Sequence, residues 1–189
     1  GTSTTGLSDA YQAFCVASEG YRDFFVRKGV RPEKIVVTGI PNFDDCGRYC
    51  RNDFPHRHYV LACTSPLREI FRREDRKAFI RKAVELAGGR LLIFKLHPNE
   101  NVKRATREIH RHAPGAMVFT TGSAEEMIAN CDVLITRFSS TAFVGLALAK
   151  ETYSDFDMDE LRRLMPVQSG SAAFSIANVC RRLLDAAPL

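Results

Sequence analysis

One stretch restricts the possible folds more than any other. An apolar triplet, Val133-Leu134-Ile135, runs through Thr136-Arg137-Phe138 into Ser139-Ser140-Thr141, and an apolar helical pattern, Ala142 onward, begins at once. A short, continuously apolar run of this kind reads as a strand covered on both faces. A helix entered through small hydroxyl residues exposes its first N–H groups, which lack intrahelical acceptors, and the positive end of its dipole. Strand, hydroxyl turn and helix is the arrangement by which an open α/β sheet presents an anion site, with serine hydroxyls as further donors. The expectation is a phosphate site at Ser139, Ser140 and Thr141.

The rest of the chain repeats that rhythm. Phe14-Cys15-Val16 lies in a short strand, Ser18 caps a helix closed by Gly29, and a second strand starts at Ile35 and stops at Pro41. Residues 43–58 are polar and irregular and read as a linker with room for a short helix. Tyr59 to Cys63 is then a strand, 73–86 an amphipathic helix ended by Gly88-Gly89, and Leu91 to Phe94 a strand of continuous apolar character. A polar helix spans 102–112, a strand ends at Phe119, and Ser123 with Glu126 forms a capping box. Tyr153 lies in a last short strand, followed by closing helices over 161–164 and 172–184. The domain expectation is a first segment, 1–45, left over from a preceding domain, a linker, 46–58, and a main domain, 59–189.

Strands alternating with helices predict a doubly wound parallel sheet in three α/β/α layers. Ligands of such sheets bind outside the carboxyl ends of the strands. Four consecutive strands here end in donors or cations: Thr64 and Ser65, then Lys95, His97 and Pro98, then Thr120 and Thr121, then the serine pair. Each also has a plainer reading, as a helix cap, a solvated lysine or a histidine bonded to a carbonyl. Their convergence on one edge favours ligand contact. Arg68 and Arg137 read as surface arginines.

Composition narrows the partners. Of 189 residues, 27 are Lys or Arg and 22 are Asp or Glu, a net charge of +5 that suits phosphate-rich ligands. No nucleic-acid-binding signature is present, and no apolar run approaches the roughly 20 residues of a membrane span. Gly1 to Gly6 is small and polar rather than a signal peptide, and the absence of an opening Met reads as a fragment. Six scattered cysteines, with Cys15, Cys63 and Cys131 beside apolar runs, read as core hydrophobes in a reducing cytoplasm. Cys46, Cys50, His56 and His58 offer zinc-ligand types at a spacing that matches no standard finger, so no metal is expected. The basic helices read chiefly as solvated faces, with an anionic inner membrane leaflet as the alternative contact.

His97-Pro98 after one strand and Ser139-Ser140 after a later one, with Thr38-Gly39-Ile40-Pro41-Asn42 upstream, resemble the nucleotide-sugar-binding half of a GT-B glycosyltransferase. The nearest branch comprises bacterial sialyl, Kdo and CDP-glycerol transferases, whose donors are cytidylyl-activated. The resemblance implies that His97 and the serine pair hold the donor phosphate, that Thr120 and Thr121 meet base and ribose, and that His97 is the catalytic contact. It also implies a CMP- or CDP-linked donor with no further cofactor, a lipid- or glycan-linked acceptor, and a partner domain without which the chain is inactive. His97-Pro98-Asn99 is similar to UDP-sugar 2-epimerases as well. Their Ser-Gly-Gly turn with a glutamate in the next helix is absent here, because Ala142 to Leu148 carries no acid. A non-catalytic nucleotide-binding or scaffold module is the remaining alternative.

Overall fold

The computed structural model describes residue 8 and residues 10–186; the opening Gly1–Gly6 stretch lies outside them. In chain order the elements are β1 (Phe14–Val16), α1 (Glu19–Arg27), β2 (Ile35–Val37), a 3-10 turn (Cys46–Cys50), β3 (Val60–Cys63), α2 (Arg76–Ala87), β4 (Leu92–Lys95), α3 (Val102–His112), β5 (Met117–Phe119), α4 (Ala124–Asn130), β6 (Val133–Ile135), α5 (Thr141–Ala147), β7 (Glu151–Tyr153), α6 (Met158–Arg163) and α7 (Ala172–Asp185). They group into two compact units. One takes the residues up to Cys46 together with those from Asp159 on, and the other is Gly47–Met158. The closing helix α7 thus clusters with the amino-terminal segment rather than with the five-stranded sheet. No helix among the described residues is long and apolar enough to cross a membrane.

The first unit is built on a parallel pair, β1 with β2. Ser18 caps α1 as expected, its hydroxyl accepting from the Tyr21 N–H at 3.3 Å. Helix α7 is capped from a distance: the carboxylate of Asp44 accepts from the Ala172 N–H at 2.7 Å, while Ser171 beside the helix makes no such bond. Cys15, expected in the core, is exposed, because its neighbours Phe14 and Val16 take the inward positions of a strand only three residues long.

The second unit holds a five-stranded sheet in the order β5-β4-β3-β6-β7, and every ladder is parallel. This is the doubly wound α/β class that the alternation predicts. Register explains the layers. Val60 pairs with Leu92 and with Val133, so these side chains share one face, and they pack with Phe79, Ile80 and Ala83 of α2 and Ile109 of α3. Leu61 and Leu134 point the other way. There the Tyr59 hydroxyl donates to the Met127 carbonyl of α4 at 2.6 Å, and Gly145 brings α5 against Leu134 and Thr152. Burial on both faces is why β3, β4 and β6 read as unbroken apolar runs. Helix α2 begins at Arg76 and not at 73, because the Asp75 carboxylate accepts from the Ala78 N–H at 2.9 Å and so sets the first turn. Gly88, at φ 55°, ends it.

Candidate functional site

A parallel sheet gives all its carboxyl ends to one edge. The chain runs outward from β3 through β4 to β5, then returns to the other side of β3 with β6 and β7. The strand order therefore reverses between β3 and β6, and the loops leaving these two strands diverge there. The turn carrying His97 leaves β4 and the turn carrying Ser139 leaves β6, each one strand from β3. Two strand spacings are about 10 Å.

The loop after β6 makes its own cap. The Ser139 hydroxyl accepts from the Thr141 N–H at 3.3 Å and from the Thr141 hydroxyl at 2.9 Å. Ser140 is helical in backbone, exposed, and makes no side-chain capping bond. Of the two serines, Ser139 therefore caps α5, and the Ser140 hydroxyl makes no hydrogen bond among the described residues. Thr120 and Thr121, after β5, are exposed, and their hydroxyls make no hydrogen bond among the described residues.

The turn after β4 is tied inward. The His97 N–H donates to the Thr64 hydroxyl at 3.1 Å and to the Glu100 carboxylate at 2.9 Å. Thr64 donates its own proton to Glu100. Thr64 is buried, and its hydroxyl serves the protein rather than solvent. Ser65 is buried too, its carbonyl accepting from Arg76 Nη2 at 3.3 Å. On the His97 ring, Nδ1 accepts from the Asn99 N–H at 3.1 Å. The neutral ring then carries its proton on Nε2, which is the nitrogen left to donate. Pro98 is exposed. Lys95 is not: it is buried, with Nζ donating to the Leu96 carbonyl at 2.9 Å.

Behind these loops runs a chain of ion pairs that the sequence did not announce. Arg68 meets Glu108 at 2.7 Å and Glu74 at 3.3 Å; Glu74 meets Arg76 at 3.1 Å; Arg76 meets Glu100. Arg137 bonds Asp155 at 2.7 Å and stands 3.9 Å from Glu74. Arg68 and Arg137, expected at the surface, are instead spent on carboxylates. The side chain of Glu74 has no exposure at all, and this burial pushes its carboxyl above the ordinary value against the pull of Arg76 and Arg68. Glu74 Oε1, Arg76 Nη1 and Arg137 Nη1 are buried without hydrogen-bond partners among the described residues. With the arginines neutralised, the groups at this edge left for an anion are the Nε2 of His97, the hydroxyls of Ser140, Thr120 and Thr121, and loop N–H groups.

Other readings from the sequence resolve locally. In the box before α4, Ser123 accepts from the Glu126 N–H at 3.2 Å but donates to Glu125 rather than being answered by the Glu126 carboxylate. His58 pairs with Asp132 at 3.1 Å and His56 packs edge-on to Phe54. Cys63 and Cys131 are buried, and burial pushes both thiols up to about 12. A groove of about 400 Å³ lies beyond the opposite, amino-terminal edge of the sheet, lined by Ala87, Leu91, His112 and Ala116 among others, away from every expected ligand residue.

No protein-family model matches the chain, and no curated protein matches it. Solved structures do. The UDP-GlcNAc 2-epimerase of Methanocaldococcus jannaschii, in complex with UDP-GlcNAc and UDP, superposes with a TM-score of 0.66 at 12% identity, over 90% of this chain and 61% of that one. S. aureus MnaA with UDP gives 0.67 at 12% identity, over 94% and 61%. The wall teichoic acid polymerase TagF, soaked with CDPG, gives 0.54 at 12% identity, over 94% and 59%. At such identities the likeness establishes the fold. The chain accordingly shares the Rossmann-like α/β fold of these structures, and it spans about three-fifths of their length.

Proposed function

We propose that the Gly47–Met158 unit is the donor-binding half of a glycosyltransferase that takes a cytidylyl-activated sugar or polyol, in the synthesis of a cell-surface polymer. The observation that carries this is the gathering of His97, Thr120, Thr121 and Ser140 on the carboxyl edge of one parallel sheet, beside the point where its strand order reverses. The His97 Nε2–H, the hydroxyls and the turn N–H groups are suited to receive the phosphate. The leaving nucleotide gains negative charge as the bond to the sugar breaks, and donors fixed in advance lower that barrier. A bond from a charged phosphate to such a donor is worth about 1.5–3 kcal/mol. Thr64, Ser65 and Lys95 act behind this surface, as supports. The acceptor, lipid- or glycan-linked, and the general base belong to a partner domain.

The test is a melting series with CMP, CDP, UDP and inorganic phosphate. Selective stabilisation by the cytidine nucleotides supports the reading. Equal response to UDP removes the cytidylyl preference, and no response to any of the four removes nucleotide binding. A UDP-sugar 2-epimerase-like role is the second reading, favoured by the higher TM-scores of the epimerase structures. Its cost is the start of α5, where Ala142, Phe143 and Val144 leave no acid to hold a ribose.

A further inference from the structure

We propose that Glu100 is the positioning residue of the candidate site, the group through which the His97 turn acquires the one geometry in which its ring can serve an anion. The proposal rests on the donor-binding reading for its ligand, but not for its geometry. The side chain of Glu100 is 2% exposed. One carboxylate oxygen accepts from the His97 N–H at 2.9 Å and from the Thr64 hydroxyl, and the other accepts from Arg76 Nη2. The backbone of Glu100 closes the same turn, its N–H donating to the His97 carbonyl at 3.1 Å. A single buried carboxylate thus binds together the loop after β3, the turn after β4 and the first turn of α2.

The consequence falls on His97. With its N–H directed at Glu100 and Thr64, the turn brings the Asn99 N–H onto Nδ1, 3.1 Å away. That bond selects the tautomer with the proton on Nε2, the donor the site needs. The arrangement also withdraws Thr64 from the ligand-facing donors. A plain structural tie would be better made with apolar side chains, since burying charges is costly even when they are paired. Here the cost is incurred and not fully offset, because among the described residues Arg76 Nη1 and Glu74 Oε1 make no hydrogen bond.

The experiment uses the whole chain with nitrogen-15 in its histidines. At a pH high enough for the imidazoles to be neutral, the wild-type His97 ring gives the spectrum of the tautomer protonated on Nε2. Glu100→Ala converts it to an average of both tautomers, and Glu100→Gln, which still offers an oxygen to the His97 N–H, restores it. Calorimetric titration with CDP gives the second readout: Glu100→Ala weakens binding about tenfold, and Glu100→Gln by less than about threefold. In a His97→Ala background Glu100→Ala adds less than about twofold, because it acts through the ring. An unchanged His97 spectrum in Glu100→Ala, or losses that simply add in the double variant, overturns the proposal. Should Glu100→Ala not fold, Glu100→Met, which fills the same space without an acceptor for the His97 N–H, takes its place, and a His97 spectrum left untouched by it overturns the proposal equally. If the wild type takes up no CDP, the donor reading fails alone, and the spectra still decide the role of Glu100.

Discussion

Arg76 opens α2 and Glu100 closes the turn after β4, and the two meet as a buried ion pair, with side chains 4% and 2% exposed. Their partnership crosses 24 residues of sequence and joins the first turn of α2 to the turn after β4 that carries His97. Removing one member leaves the other charge uncompensated in the interior. Arg76→Met is expected to cost about 3–5 kcal/mol, read from the urea midpoint. A loss below about 1 kcal/mol would show that water reaches the pair.

Glu74 gives a pH signature. Burial raises its folded carboxyl above the ordinary value of 4.5. The folded state therefore holds this proton more tightly than the unfolded state does. The group's contribution is fully present below the unfolded value and is lost as pH rises through the folded one. Relative to wild type, Glu74→Gln is expected to gain stability as pH climbs from about 4.5 toward neutrality. Melting curves of the two proteins across that range check it, and a stability of Glu74→Gln relative to wild type that stays flat or falls with pH contradicts it.

The serine pair divides its labour. The Ser139 hydroxyl caps α5 and the Ser140 hydroxyl does not. Ser139→Ala is expected to cost about 1 kcal/mol of stability and Ser140→Ala only a few tenths. Thermal unfolding by circular dichroism separates them. In the CDP titration the order reverses, since Ser140 keeps the free hydroxyl.

Gly145 sits where α5 crosses the sheet. A Cβ there would lie 2.6 Å from the Thr152 hydroxyl and 2.7 Å from Leu134 Cδ2. Leu134 is fully buried and cannot step aside. The overpacking, about 1–3 kcal/mol, outweighs the gain of roughly 1 kcal/mol that alanine brings to a helix. Gly145→Ala is expected to lower the melting temperature, while Gly115→Ala, where nothing lies within 4 Å, is not.

The thiols sort by position. Cys63 and Cys131, buried and pushed up to about 12, hold almost no thiolate near neutrality. A disulfide reagent is expected to modify the exposed Cys15, Cys50 and Cys180 in the native protein. Cys63 and Cys131 follow only on unfolding. Peptide mapping after native labelling checks the assignment.

The elements themselves were legible in the chain. Val102–His112 and Val133–Ile135 fall where local pattern places them, and the parallel sheet follows from strands alternating with helices. These features depend on residues a few positions apart, through backbone periodicity, burial of both sheet faces and caps such as Ser18. The gathering of Thr64, His97, Thr120 and Ser139 on one edge was legible for the same reason, because parallel strands put all their carboxyl ends together.

What tertiary structure alone decided is which polar groups are spent and which are free. Nothing near Thr64 in sequence indicates that Glu100, 36 residues on, accepts its hydroxyl hydrogen bond, and nothing near Arg68 or Arg137 points to Glu74, Glu108 or Asp155. Nor does Ser171 reveal that Asp44, 128 residues earlier, does the capping of α7. A buried charge takes whatever partner the packing brings within reach, because leaving it unpaired costs more than any local preference can return. Local pattern therefore draws the strands and helices, while pairing across the fold selects the donors a ligand can meet.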